Sequence, residues 1–384
     1  MTAEPFVCPF CPLHCDDLDL AQVNRGDVSC QRLSGVWGQA VDHDRFASPA
    51  DKEALAIARR WVAEARGILV TGRVVDLETA RAVGRFIDAT GASCQVASAA
   101  GYAETFARDG MITTTLGDAA APHQRVIVIG DPGGDWPRLV ERLGRAGQLY
   151  RWDRDDQLAE RLARVRGKLR GDSSVVDVDA DVAATVAICQ RSTAVVFVVA
   201  PKSLARQESE SRLIWSTLAG LLGDLNRRIR ATLLRFDPAM TLRSVLAWSG
   251  SGIKSSGSGI KSSGSGIKSS GSGLESDGGE VDRGRRIELV IRLQPWPLVA
   301  VRDVVEAAGA RRTLWIGSCE QSVDRVSVAA TGEESLAIAA ATAGISRPGV
   351  VIRGDGSVTL PLFAAVSGAL PTVAEMLSAI TPKP

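Results

Sequence analysis

The sequence predicts an α/β chain built from several parallel-sheet layers, and three observations carry that reading. Short, continuous runs of β-branched and aliphatic residues recur along the chain, too apolar throughout to be strands with one wet face. Between them lie Ala-, Arg- and Leu-rich stretches whose apolar residues return every three or four positions, the spacing of an amphipathic helix. Aromatic residues make up only 5% of the 384 residues, so Ala, Val and Leu supply most of the apolar mass. That composition suits helices laid over both faces of a sheet. At about 100–200 residues per domain, the length suggests two or three domains with a sizeable core.

In chain order, the run from 67 to 72 is predicted as a buried strand. Asp76 is placed to cap a helix over 77–89, because its carboxylate can accept from the free N–H groups of a first turn. Residues 125–130 form the next strand, ended by Asp131-Pro132-Gly133-Gly134, and 194–200 form another, closed by Pro201. The stretch 214–230 reads as a long helix with Leu218, Leu221, Leu222 and Leu225 inward. Strands at 287–293 and 313–317 resume the pattern. Between them and the earlier part, a seven-residue Ser/Gly unit repeats from Ser251 to Gly278. One apolar residue per heptad cannot make a coiled-coil seam. The repeat is read as a flexible linker whose ends lie about 25–30 Å apart. The expected organisation is a Cys-rich lobe over 1–50, α/β structure over 51–248, the linker over 249–286, and a segment completing the scaffold over 287–384.

Charge narrows the function classes. Lys and Arg number 45 against 44 Asp and Glu, a net charge of +1. Binding to nucleic acid or an anionic membrane needs clustered excess cation, so neither is expected. No run of about 18 apolar residues is present to span a bilayer. The start, Met1 to Val7, lacks a basic and an apolar signal region. Seven cysteines, an odd count in a long chain, disfavour a secreted disulfide framework. A soluble cytoplasmic protein is expected.

Four of the seven cysteines fall in the first thirty residues: Cys8, Cys11 and Cys15 in a C-x2-C-x3-C run, and Cys30 after a further gap. Three thiols so close can converge on one metal, with a distant fourth closing a tetrahedral set. A 4Fe–4S cluster, a four-cysteine zinc site, and a lobe in which the thiols pack as small hydrophobes all remain open. His14 is read as a bystander, since Cys15 already fills the ligand spacing. Gly130 to Gly134 follows a strand as phosphate loops do, or is a plain strand-to-helix turn.

The stretch from Cys8 to Asp17, with Cys30-Gln31-Arg32-Leu33, resembles the cluster-binding opening of the B-subunit family of formylmethanofuran dehydrogenases. Gly223-Asp224-Leu225-Asn226 is similar to that family's D-L-N helix end. The stretch from Ala343 through Arg353-Gly354-Asp355-Gly356 to Leu362 is similar to its G-I-E…R-M-D-G-V-P-L-P-L ending. The resemblance implies a molybdopterin-oxidoreductase scaffold, whose members hold tungsten or molybdenum on two pterin nucleotides with a cysteine or selenocysteine ligand and a histidine beside it. That ligand segment falls near 98–103, where Ala99 stands at the metal-ligand position. A methyl group can neither bind a metal nor relay a proton. Cys94 is the nearest thiol and would have to serve if the redox chemistry survives. Histidine is also missing from the segment after Pro132 and from Arg235-Phe236-Asp237-Pro238, and the chain has three histidines in all.

A scaffold without its ligand most resembles the non-redox B subunit of bacterial formyltransferase/hydrolase complexes. The resemblance then implies a catalytically silent structural subunit, with no tungsto- or molybdopterin. Its partners would be the A, C and D subunits, of which A is an amidohydrolase-type hydrolase and D a formyltransferase. Together these would convert formyl-tetrahydromethanopterin to formate through a methanofuran-type carrier. The alternative is a tungsten- or molybdenum-pterin oxidoreductase of the dehydrogenase type. Candidate contact residues are Trp37, Trp136, Trp248, Trp296 and Trp315, some of which belong to the core. Deletion of residues 251–278 is expected to leave assembly intact, checked by size-exclusion chromatography of the deleted chain with its partners; loss of the complex would give the repeat a role.

Overall fold

The structure is a computed structural model. It describes residues 5–50, 52–95, 110–144, 149–152, 156–176, 179–200, 208–249, 287–294, 310–317, 327–328 and 334–382. Ala99, Trp296 and the heptad repeat lie outside them. The described residues fall in two compact units, the first within Met1–Ala97, Asp237–Lys254 and Glu280–Pro384, the second within Ser98–Phe236 and Ser255–Gly279.

The chain starts in the first unit with an antiparallel pair, β1 (Pro5–Phe6) and β2 (Leu18–Asp19). Helices α1 (Leu20–Arg25), α2 (Gln31–Phe46) and α3 (Lys52–Glu64) follow, then β3 (Ile68–Gly72), α4 (Leu77–Thr90) and β4 (Ser93–Gln95). It then builds the second unit: β5 (Thr113–Thr114), α5 (Leu116–Ala119), β6 (Arg125–Ile129), α6 (Leu139–Gly144) and β7 (Leu149–Arg151). That unit continues through α7 (Leu158–Arg170), α8 (Ala180–Arg191), β8 (Ala194–Val199), α9 (Glu208–Leu225) and β9 (Arg230–Leu234). Back in the first unit come α10 (Met240–Ser249), β10 (Leu289–Gln294), β11 (Arg312–Gly317), β12 (Ser327–Val328) and β13 (Glu334–Ala339). The hairpin β14 (Gly349–Ile352) and β15 (Thr359–Leu362) and helix α11 (Val373–Ile380) complete it.

Both large sheets are parallel as predicted. The first has the order β12-β13-β11-β10-β3-β4, with only β12 antiparallel; the second runs β5-β9-β8-β6-β7. One face of the first sheet presents Val70, Leu289, Ile291, Leu293, Leu314 and Ile338. Trp61 of α3, Phe86 of α4, Leu246 of α10 and Leu377 of α11 pack on that core. At about 1.5–3 kcal/mol per buried aliphatic or aromatic side chain, this layer outweighs any single polar contact in the unit.

In the second unit, Ile127, Val195, Phe197 and Leu233 meet Leu162, Trp215 and Leu218. One buried cation there is fully matched. Arg161 grips Asp179 through Nε (2.8 Å) and Nη2 (3.0 Å) and reaches Asp181 at 2.6 Å. Its guanidinium lies 4.7 Å over the Trp152 ring, whose Nε1 donates to Thr185 at 2.9 Å.

Local chemistry sets the element ends. Asp76 caps α4 as expected, accepting from Thr79 N at 2.9 Å. Helix α9 ends five residues before the predicted 230, because the Asn226 side chain folds back on it. Its amide donates to Leu222 O (2.8 Å) and Ala231 O (2.7 Å) and accepts from Ala231 N (3.1 Å), tying the helix end to β9. Gly72, at φ +115°, ends β3 where a Cβ would lie 1.9 Å from the Leu293 carbonyl oxygen. No other residue type fits there. No helix among the described residues is long and apolar enough to cross a membrane.

Two substitutions should separate these effects. Gly72→Ala is expected to cost about 3 kcal/mol or more, from strain plus the backbone clash. Thr372→Ala removes the capping box of α11, in which Thr372 Oγ1 accepts from Glu375 N and Glu375 accepts from Thr372 N; it should cost about 1 kcal/mol. Urea midpoints of the two variants check the ranking.

Candidate functional site

The four N-terminal cysteines come together in the first unit. The loop between β1 and β2 is closed by Cys8 N donating to Cys15 O at 3.0 Å and His14 N donating to Cys11 O at 3.1 Å. His14 accomplishes the turn at φ 41°, in the left-handed region. This tight winding points Cys8, Cys11 and Cys15 inward, each about 3% exposed, and Cys30 at the start of α2 is buried too. Burial pushes the Cys8 thiol well above its ordinary value, with Cys11, Cys15 and Cys30 adding to the rise. Burial likewise raises Cys11, with Arg73 opposing most strongly and Arg32 also opposing. The thiols therefore share one compartment, in which burial favours the protonated form of Cys8 and Cys11.

Donor type suits a four-thiolate cluster or zinc. Among the described residues, no group of three or more His, Cys, Asp or Glu side chains is placed to hold a metal ion.

Residues far away in sequence hold the loop. Arg73, just beyond β3, donates from Nη1 to Phe10 O at 2.7 Å. Gly354 N donates to Pro12 O at 2.8 Å, and Gly354 O in turn accepts from Asp237 N at 2.8 Å. A side chain at 354 would meet Pro12 Cβ at 2.6 Å, so only glycine allows this approach. Arg353 pairs with Asp355 at 3.2 Å and reaches Asp16 at 4.0 Å. The Arg353-to-Gly356 stretch is thus the clasp of the cysteine loop. Sequence reasoning missed Arg73, since nothing in its neighbourhood marks it; only the fold brings it there.

His14 is buried, and its Nδ1 donates to Cys8 O at 3.1 Å in the neutral tautomer. Burial, then the nearby Arg73 and Arg353 guanidinium groups, lower its pKa to about 3. Cys94 packs at the margin of the helix-covered core, and burial pushes its thiol up to about 12. In the second unit, the loop after β6 is occupied by its own carboxylate. Asp131 accepts from Gly133 N (3.0 Å) and pairs with Arg151 (2.9 Å), so the anion place of a phosphate loop is filled from within. Of the tryptophans, Trp136 is core, Trp248 is 71% exposed, Trp37 packs edge-on to Phe6, and Trp315 is half-buried.

Parallel sheets bind ligands beyond the carboxyl ends of their strands. At that edge of the first sheet, the described residues Arg73, Asp76, Thr79, Leu293, Gly317 and Thr342 leave a cavity of about 20 Å³, room for about one water. A larger hollow, about 250 Å³ and open, lies between α1 and α2 over Val23, Leu33 and Trp37.

No family model and no curated protein matches the sequence. Among solved structures, the fold is similar to a chain in the crystal structure of the formyltransferase/hydrolase complex (FhcABCD) from Methylorubrum extorquens in complex with methylofuran. The TM-score is 0.61 at 19% identity, covering 88% of this chain and 96% of that one.

His14 gives the site a measurable pH signature. Its pKa is about 3 in the fold against 6.5 ordinarily, so below pH 6.5 the unfolded chain takes up a proton that the folded chain refuses. This stability is complete above pH 6.5 and is lost as pH falls towards 3, on the order of 5 kcal/mol in full. In His14→Asn, which tolerates the left-handed turn, the drop in stability between pH 7.5 and 4.5 should shrink by about 2–3 kcal/mol. Urea titrations at the two pH values check it; an unchanged drop would contradict the buried neutral histidine.

Proposed function

We propose that this chain is a catalytically silent structural subunit of a formyltransferase/hydrolase complex. The observation that carries the reading is the fold likeness to a chain of such a complex, which spans nearly the whole of both chains. Three features support it. Ala99 stands in sequence where the resembling oxidoreductases carry a metal-binding thiol. At the carboxyl edge of the first sheet, the described residues line a cavity of only about 20 Å³. The stretches that carry the family resemblance serve structure: the cysteine loop, its 353–356 clasp, and Asn226 at the end of α9.

In this reading the partner subunits perform formyl transfer and hydrolysis, on a tetrahydromethanopterin-bound formyl group and a methanofuran-type carrier. The present chain contributes surface. Exposed apolar side chains supply candidates for contact with those partners: Phe46, Trp248 and Phe363 in the first unit, Ile112 and Leu213 in the second. The thiol quartet acts as a packed staple of the N-terminal lobe, and a cluster or zinc drawn in by a shift of the loop would strengthen the same staple.

The test is purification of the chain, affinity-tagged, from its native cell, followed by elemental analysis. It should elute with three further polypeptides, with tungsten and molybdenum far below one per chain. About four irons per chain would place a cluster on Cys8, Cys11, Cys15 and Cys30. Stoichiometric tungsten or molybdenum would replace this reading with the oxidoreductase, and elution of the chain by itself would remove it from any complex.

A further inference from the structure

The first sheet has a second face, turned away from the core that α3, α4, α10 and α11 share, and one row across it is polar. Register places Gln95 of β4 beside Thr71 of β3, Thr71 beside Arg292 of β10, Arg292 beside Trp315 of β11, and Trp315 beside Ala337 of β13. Thr71 and Arg292 are 7% and 5% exposed, while Gln95 and Trp315 at the flanks are half-exposed. The row thus runs from a buried centre out to solvent.

Arg292 is the anomaly in it. Its guanidinium lies 4.5 Å over the Trp315 ring, which fixes its plane. Its Nε and Nη2 are buried and have no hydrogen-bond partner among the described residues. Stacking on one indole returns only part of what a guanidinium loses on leaving water. The two orphaned atoms form one edge of the guanidinium, with parallel N–H bonds, and that fork matches two oxygens of one carboxylate or phosphate. The chain itself supplies the comparison: Arg161, also buried and stacked on a tryptophan, uses the same Nε/Nη2 edge to hold Asp179. At Arg292 the stack and the fork are present and the anion is not among the described residues.

We propose that Arg292 anchors a small-oxyanion site on this face, taking a carboxylate or a phosphate on its Nε/Nη2 edge. Trp315 holds the fork in plane, and Thr71 and Gln95 lie along the same row to complete the hydrogen bonding. The site stands independently of the proposed place in a complex, since it rests on the first sheet alone.

The test is the melting temperature of the full chain against rising phosphate, and separately against rising acetate, at ionic strength held constant with chloride. A ligand that binds only the folded state raises the midpoint with the logarithm of its concentration. The wild type should show that rise with at least one of the two anions, and the responding anion identifies the source. Arg292→Met should abolish the rise, and Arg292→Lys, which keeps the charge without the fork, should weaken the apparent affinity at least about tenfold. Equal slopes in wild type and Arg292→Met, or no rise above chloride with either anion in the wild type, would overturn the proposal. Should the Met variant fail to fold, the Lys variant decides, and an unchanged affinity there would overturn it.

Discussion

Pairing of β3 with β10 is the constraint on which the first unit depends. Five residue pairs join the strands in parallel, and Arg66 N donates to Glu288 across 222 positions of sequence. Loop-closure entropy grows only slowly with length, so such a separation is tolerable for stability, although it slows folding. Once the pairing forms, β11 and β13 add on one side and β4 on the other, and the helix-covered core has a floor. Gly72 and Leu293 mark the tightest point of the pairing: the backbones approach so closely that a methyl group has no room. Arg73 leaves the sheet from that point, its own N–H bonded to Leu293 O at 2.8 Å, and its side chain turns to the cysteine loop.

The thiol compartment therefore inherits its position from the sheet. The loop is clamped by Arg73 on one side and the 353–356 turn on the other. Those clamps bring cationic groups against groups that stay neutral. Arg73 itself, buried and facing thiols, has its pKa lowered to about 10. Neutral His14 and the raised Cys8 and Cys11 thiols follow from the same low-dielectric surroundings, in which burial outweighs the help that Arg73 gives a thiolate at Cys11.

Much of this architecture is legible in the sequence, for a physical reason. Strands buried on both faces must be apolar throughout, so 68–72, 125–129 and 194–199 announce themselves, as does the parallel arrangement they require. Local capping is equally visible at Asp76. What the sequence does not display is which strands become neighbours, because that depends on closing long loops. Neither Arg73 nor the clasp could be linked to the cysteines in advance. Arg292 did leave a signal: a charged residue inside the otherwise aliphatic run Leu289-Val290-Ile291-Arg292-Leu293, where a central strand should carry none. The early end of α9 was hidden because a single asparagine, and no break in apolar spacing, terminates it.

The first unit is interrupted, and the interruption has a consequence for the order of events on the ribosome. The strands of the second sheet leave the exit tunnel before β10, β11 and β13 exist. Domains tend to fold as units during synthesis, at about 5–20 residues per second. The second unit can be finished while β3 and β4 still present a bare hydrogen-bonding edge and Trp61, Phe86 and Val70 still lack their cover. For some seconds each nascent chain carries a folded unit beside a sticky half-sheet, the condition that invites chaperone capture or edge-to-edge pairing with a neighbouring chain.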